Sequence, residues 1–141
     1  MLMKPLPTVL VVDDEHGILE TLSAILKGHG FTVFVARSGE EAIDVAYNVE
    51  PDWVVSDVVM GTLSGIDAAI RIRELRPDTQ IILISGNAMT SDLLAEAHAR
   101  GHHFEILAKP FSPVELIDRL SREEAEPSES LASAGSSVTA A

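Results

Sequence analysis

Strand-like and helix-like segments alternate strictly along this chain, and that order constrains the fold more than any other feature. Because parallel strands must be joined by crossover connections, the alternation predicts a parallel sheet with helices on both faces, a three-layer (βα)5 α/β fold. The predicted strands are short apolar runs at 8–12, 31–36, 53–57, 80–85 and 104–108. The predicted helices have apolar residues at helical spacing and cover 15–28, 39–48, 65–76, 91–100 and 113–122.

Two helix boundaries are marked by particular residues. Ser38 is followed three residues later by Glu41, which is the spacing of a capping box and predicts that a helix begins there. Gly28 and Gly30 lie where the first helix should end, because glycine readily adopts the backbone conformation of a helix C-terminus.

The chain has 141 residues, which is the length of one ordinary domain. From residue 123 the sequence is rich in Ser, Ala and Glu and has almost no large apolar side chain, which predicts a disordered tail at 123–141. The domain prediction is therefore a folded unit at 7–122, preceded by a short extension at 1–6.

Composition excludes several classes of function. The net charge of −12 repels phosphate backbones and anionic lipids, so we expect no direct nucleic-acid partner and no membrane partner. The absence of cysteine excludes disulfides and thiolate metal sites. Since no apolar run approaches the length of a membrane span or a signal peptide, we expect a cytoplasmic protein.

Polar residues gather where the predicted strands end. Asp13 and Asp14 follow the first strand, Asp57 ends the third, Ser85 ends the fourth, and Lys109 follows the fifth. The carboxyl ends of parallel strands meet at one edge of a sheet, which is where such folds bind ligands. The sequence therefore predicts three carboxylates, one hydroxyl and one ammonium at that edge.

This set of groups suits Mg²⁺ and a phosphoryl group. Two carboxylates about 5 Å apart repel by roughly 3 kcal/mol at an effective dielectric near 20, so three of them need a cation or a proton. Mg²⁺ prefers carboxylate and phosphate oxygens. Asp57 could act as a nucleophile, with Lys109 offsetting charge on the transferred group and Ser85 hydrogen bonding to it. Singly, each residue also has a simpler interpretation as a helix cap, a turn residue or a solvated charge.

Four motifs carry a resemblance to a known family. "VLVVDDE", "VVSDVVM", "LISG" and "AKPF" occur in this order, each at the end of a predicted strand. With them the chain resembles the receiver domain of two-component response regulators over about residues 7–122. The resemblance implies a flavodoxin-like fold whose parallel sheet has the strand order 2-1-3-4-5.

The resemblance also implies a role for each site residue. Asp57 would accept a phosphoryl group from a sensor histidine kinase or a histidine phosphotransfer protein, and Ser85 and Lys109 would bind its oxygens. The Lys109–Pro110 peptide bond would be cis and would direct the lysine to the site. The phosphorylated protein would bind a downstream partner, or a second copy of itself, through the fourth helix, fifth strand and fifth helix.

The resemblance implies Mg²⁺ as the cofactor. Its ligands would be Asp13, Asp14, Asp57 and the backbone carbonyl of Val59. By the same resemblance Val59 and Asn87 are the positions at which the family tunes the water that attacks the phosphoryl group. An apolar Val59 cannot orient this water by hydrogen bonding, so we expect slow self-dephosphorylation and no enzymatic turnover.

Three departures from the family pattern stand out. Gly61 replaces the usual proline after the acceptor motif, which predicts a more mobile loop. Ile106 stands where the family has an aromatic switch residue, and the segment "GHHFEILAKPF" is one residue longer than usual. The aromatic group must then come from Phe104, His102 or His103, or the coupling to Ser85 is absent.

Two other functions compete with a phosphorylation switch. A phosphatase or phosphotransferase of the haloacid-dehalogenase type also uses a strand-end aspartate with Mg²⁺, but its motif is D-x-D and the second acid is Val59 here, so turnover should be poor. A nucleotide-binding module would need a glycine fingerprint after a strand. The "GHG" at 28–30 follows a helix and has Val33 at the third glycine position.

Overall fold

The computed structural model describes residues 6–60, 64–86 and 90–122, with backbone only for 90–93. Strands and helices alternate there as predicted, and no end of an element differs from its predicted position by more than one residue. The elements are β1 (Thr8–Val12), α1 (His16–Gly28), β2 (Thr32–Ala36), α2 (Gly39–Val49), β3 (Trp53–Asp57), α3 (Gly65–Leu75), β4 (Gln80–Ser85), α4 (Thr90–Ala99), β5 (Glu105–Ala108) and α5 (Pro113–Ser121).

The five strands form one parallel sheet in the order β2-β1-β3-β4-β5, which confirms the predicted order. Val12, the last residue of β1, pairs with Ser56 of β3, and Asp57 pairs with Ile84 of β4. The sheet order reverses at β1, so a crevice opens at the carboxyl ends of β1 and β3. Trp53 begins β3 at the opposite end of the sheet.

The core consists of two clusters on the two faces of the sheet. One contains alternate strand residues such as Leu10, Val54 and Leu83, together with buried residues of α2, α3 and α4. The other contains the intervening strand residues, such as Val9 and Val55, together with buried residues of α1 and α5. This alternation confirms the three-layer arrangement, because successive side chains of a strand point to opposite faces.

The predicted helix boundaries are present, with one difference in detail. The Ser38 hydroxyl accepts a hydrogen bond from the Glu41 N–H at 3.0 Å, as a capping box requires. The Glu41 carboxylate accepts from the N–H of Arg37, one residue earlier than the motif predicts. At the end of α1, Gly30 has a φ of +99°, in the region that favours glycine.

Several predictions fall outside the described residues. They concern the loop at Gly61, the position of Asn87, the tail at 123–141 and all but the last residue of the extension at 1–6. The domain boundaries accordingly stay a prediction. Within the described part of the chain, no helix is long and apolar enough to cross a membrane.

Candidate functional site

Asp13 and Asp14 follow β1 directly and lie in different environments. Asp13 is buried, with 3% of its surface exposed, whereas Asp14 is exposed. The Asp13 N–H donates to the carbonyl of Ala36, which extends the pairing of β1 with β2 by one residue. One Asp13 carboxylate oxygen accepts a hydrogen bond of 2.9 Å from the N–H of Glu15, the residue that precedes α1. The connection from β1 to α1 therefore fixes one acid inside the sheet edge and leaves the next one in solvent.

Asp57 ends β3 and lies beside these two acids. Asp13, Asp14 and Asp57 each offer a carboxylate oxygen, and these oxygens all lie within 4.8 Å of one another. This is the only group of three or more acidic, histidine or cysteine ligands found among the described residues. The prediction that acids from separate strands meet at this edge is confirmed by this geometry.

Lys109 brings a positive charge to the same place. Its Nζ lies 3.5 Å from Oδ2 of Asp57, and the Asp57 side chain is 13% exposed. The Lys109 N–H donates to the carbonyl of Ser85 at 2.8 Å, and the Lys109–Pro110 bond is cis, as expected. The lysine stem passes against Gly86, where an added Cβ would lie 3.0 Å from its Cδ.

Ser85 is the last residue of β4 and is half-buried. Since Asp57 pairs with Ile84, Ser85 lies one residue beyond the level of Asp57 along the sheet edge. On the other side Ser85 pairs with Ala108, the residue before Lys109. The backbone of Ser85 thus lies between the strand ends that carry the acid and the lysine.

The three acids repel one another, and this repulsion affects the pKa of Asp13. Burial raises the pKa of the Asp13 carboxyl above its ordinary value, and the charges of Asp57 and Asp14 act in the same direction. The hydrogen bond from Glu15 and the charge of Lys109 lower this pKa and so oppose the shift. Three carboxylates face one ammonium, and a divalent cation with a preference for hard oxygen ligands fits this excess of negative charge.

Two contacts of the Asp57 carbonyl were not predicted from the sequence. Ser56 is a buried serine whose hydroxyl donates to the carbonyl of Asp57 at 2.9 Å. Gly65 begins α3 so close to the end of β3 that an added Cβ would lie 2.0 Å from the same carbonyl oxygen. No motif predicts either contact. The only available signals were a polar residue inside an apolar strand and a glycine next to the helix cap at Ser64.

Val59 has 56% of its surface exposed, two residues after Asp57. An apolar side chain at this position offers no hydrogen bond to a water molecule near Asp57. Slow self-dephosphorylation stays a prediction.

The segment before β5 holds an aromatic ring by several contacts. Phe104 packs against the core, and the guanidinium carbon of Arg73 lies 4.5 Å from its ring centroid. Arg73 also donates to the carbonyl of His103 at 2.7 Å, and the His102 ring lies parallel to Phe104 at 6.4 Å. Ile106 is half-buried against the same core. Two alternatives stay predictions: an aromatic switch supplied by Phe104, His102 or His103, and the absence of coupling to Ser85.

Comparisons with known proteins agree with this geometry. The family described as "Response regulator receiver domain" matches residues 9–121. "Response regulator MprA" of Mycobacterium sp. (strain KMS) is 34% identical over 112 residues, which cover 79% of this chain and 48% of that protein. "DNA-binding response regulator MtrA" of Mycolicibacterium smegmatis is 32% identical over 127 residues, which cover 87% of this chain and 54% of that protein. The chain thus spans about half the length of these curated relatives.

A solved structure matches the fold as well. The response regulator receiver domain protein from Clostridium thermocellum superposes with a TM-score of 0.73 at 30% sequence identity. The match covers 82% of this chain and 91% of that one. These similarities give no support to the haloacid-dehalogenase alternative.

Proposed function

The chain belongs to the family of response regulator receiver domains of two-component systems, and we propose that Asp57 is the residue on which it accepts a phosphoryl group. One observation carries the proposal. A half-buried carboxylate at the end of a central strand lies beside two further acids and 3.5 Å from a lysine ammonium. This arrangement leaves a nucleophilic oxygen next to groups that can balance the charge of a phosphoryl group.

In this proposal the three acids hold Mg²⁺, with the backbone carbonyl of Val59 as a further ligand. The raised pKa of Asp13 supports this role, because a crowded and buried acid gains from a nearby cation. When bound, Mg²⁺ offsets negative charge on the transferred oxygens. Lys109, 3.5 Å from Asp57, offsets charge on the same oxygens, and Ser85 donates a hydrogen bond to one of them.

The proposed donor is a phosphohistidine of a sensor histidine kinase or a phosphotransfer protein in the cytoplasm. A downstream protein, or a second copy of this chain, would then recognise the face formed by α4, β5 and α5. The relative MtrA is named as DNA-binding. For this chain we propose no direct nucleic-acid contact, because its net charge of −12 repels a phosphate backbone.

The proposed activity is a switch without catalytic turnover. The protein would phosphorylate itself from a small phosphodonor and lose the group slowly, because Val59 cannot orient the attacking water.

A direct test is incubation with acetyl phosphate and Mg²⁺, followed by intact mass spectrometry. We expect one added phosphoryl group in the wild type and none in Asp57→Ala. Asp118→Ala is the matched control, since Asp118 is an exposed aspartate of α5, and it should be phosphorylated as the wild type is. A phosphoryl group added to Asp57→Ala would contradict the proposal. Repeated release of phosphate by the wild type would contradict it as well.

A further inference from the structure

Ser56 is a buried polar residue to which the phosphorylation chemistry assigns no role. It lies in β3 between Val55 and Asp57 and is 3% exposed. Its register partners, Val12 and Leu83, are apolar and buried. Such a strand favours β-branched apolar residues, and a hydroxyl there is unfavourable unless it is hydrogen bonded. Packing alone therefore does not account for serine at this position.

The hydroxyl of Ser56 donates a hydrogen bond of 2.9 Å to the backbone carbonyl of Asp57. The same carbonyl lies against Gly65, where only the missing Cβ allows the approach. The N–H of Gly65 in turn donates to the carbonyl of Val58 at 2.8 Å. The peptide group after Asp57 is thus held at its carbonyl by a hydroxyl within the sheet and by the first residue of α3, and at its N–H by a bond of 3.1 Å to the carbonyl of Ile84.

This contact bears on the acceptor because the Asp57 carbonyl and the Asp57 side chain share one Cα atom. A fixed carbonyl restricts the backbone rotation at Asp57 and sets the direction in which Val58 and Val59 leave the strand. Groups held in their binding geometry lose less conformational entropy when they bind.

We propose that Ser56 is a positioning residue for the phosphoacceptor. Its hydroxyl holds the peptide after Asp57 so that the carboxylate, and the Val59 carbonyl two residues on, face the divalent cation and the phosphoryl donor. This inference rests on the proposed role of Asp57. It adds a residue to the site that neither touches the phosphoryl group nor binds the metal.

The test compares three variants of the full chain. Ser56→Ala removes the hydroxyl, whereas Ser56→Thr and Ser56→Val are nearly equal in shape and differ in the hydroxyl alone. Two quantities are measured, the Mg²⁺ dissociation constant by titration calorimetry and the initial rate of phosphorylation by acetyl phosphate. Since one hydrogen bond is worth roughly a factor of five, we expect the Ala and Val variants to bind Mg²⁺ about fivefold more weakly and to react more slowly by a similar factor. The Thr variant should stay within about twofold of the wild type.

The Thr and Val pair separates positioning from packing. If both lose Mg²⁺ affinity equally, or if Ala binds Mg²⁺ as the wild type does, Ser56 serves packing only and the inference is overturned. Ser56→Ala removes only one oxygen atom. If the Thr and Val variants do not fold, the Mg²⁺ dissociation constant of Ser56→Ala decides the role of Ser56. A wild type that binds Mg²⁺ but gains no phosphoryl group would refute the proposed function, and the Mg²⁺ constants would still decide the role of Ser56.

Discussion

Lys109 and Asp57 meet across a strand that belongs to neither of them. Asp57 ends β3, Lys109 follows β5, and β4 lies between the two strands, yet Nζ of the lysine is 3.5 Å from the carboxylate. The side chain spans this gap by passing over Gly86, at the end of β4. The charge that faces Asp57 therefore depends on the backbone at three strand ends.

Removing this charge should slow phosphorylation and leave the fold intact. In Lys109→Met the stem remains but the ammonium is lost, so we expect the initial rate with acetyl phosphate to fall by about tenfold. Since the Lys109 side chain is 39% exposed, the free energy of unfolding should change by less than ~1 kcal/mol. Lys27→Met, at the exposed end of α1, is the matched control. A variant as fast as the wild type would show that the ammonium plays no part in the transfer.

A side chain at Gly65 should destabilise the fold. A Cβ at this position would lie 2.0 Å from the carbonyl oxygen of Asp57. The Asp57 backbone would then have to move, and its carboxylate would move with it. We expect Gly65→Ala to lower the free energy of unfolding, measured by urea unfolding, by about 2 kcal/mol. The variant should also bind Mg²⁺ more weakly.

Gly17 provides the contrast to Gly65. It also lies in the first turn of a helix, but nothing is found within 4 Å of its added Cβ. Gly17→Ala should raise the free energy of unfolding by about 0.5 kcal/mol, because alanine loses less backbone entropy on folding. Equal effects of the two substitutions would refute the steric argument.

The buried acid Asp13 should make the metal-free protein less stable as the pH rises. Because the folded pKa is raised above its ordinary value of 3.8, the folded state binds this proton more tightly than the unfolded state. The resulting stability is complete below the unfolded pKa and is lost as the pH rises through the folded pKa. In EDTA at neutral pH we therefore expect Asp13→Asn to be more stable than the wild type by ~1 kcal/mol.

Urea unfolding at several pH values measures this effect. The advantage of Asp13→Asn should vanish below about pH 4, where both side chains are neutral, and should shrink when Mg²⁺ is added. Asp14→Asn changes an exposed acid and should have a smaller effect. If Asp13→Asn is less stable than the wild type at neutral pH but not below about pH 4, the ionised carboxylate stabilises the fold and the argument from burial is wrong.

Val59 should limit the loss of the phosphoryl group. Asparagine in its place can hydrogen bond to a water molecule near Asp57, so we expect Val59→Asn to shorten the lifetime of the phosphorylated protein several-fold. The lifetime is followed by intact mass after removal of the phosphodonor. Val114→Asn places the same side chain at another exposed position, in α5, and should leave the lifetime unchanged. If Val59→Asn also leaves it unchanged, the water argument fails.

The sequence predicted most of the fold because its local signals agree with one another. The apolar period of each strand and helix, the cap at Ser38 and the glycines at the end of α1 all favour the same elements. Parallel order then places Asp13, Asp57 and Lys109 at one edge of the sheet. Those side chains could be placed because each is the last residue of a strand or the residue directly after it.

The contacts that fix the site could not be predicted in this way. The hydrogen bond from Ser56 to Asp57 depends on the rotamer of a buried side chain. The approach of Gly65 depends on the angle at which α3 meets β3, and no local pattern encodes either one. The contact of Arg73 with Phe104 joins residues of α3 and the loop before β5, so it follows from packing and not from sequence spacing.

The chain carries a single indole, at Trp53. It is buried, and it precedes Asp57 by four residues on the same strand, a separation of about 13 Å. Its fluorescence therefore reports from the end of β3 that lies away from the three acids. If Mg²⁺ or a phosphodonor bound at those acids changed the emission, the sheet itself would have carried the effect over that distance.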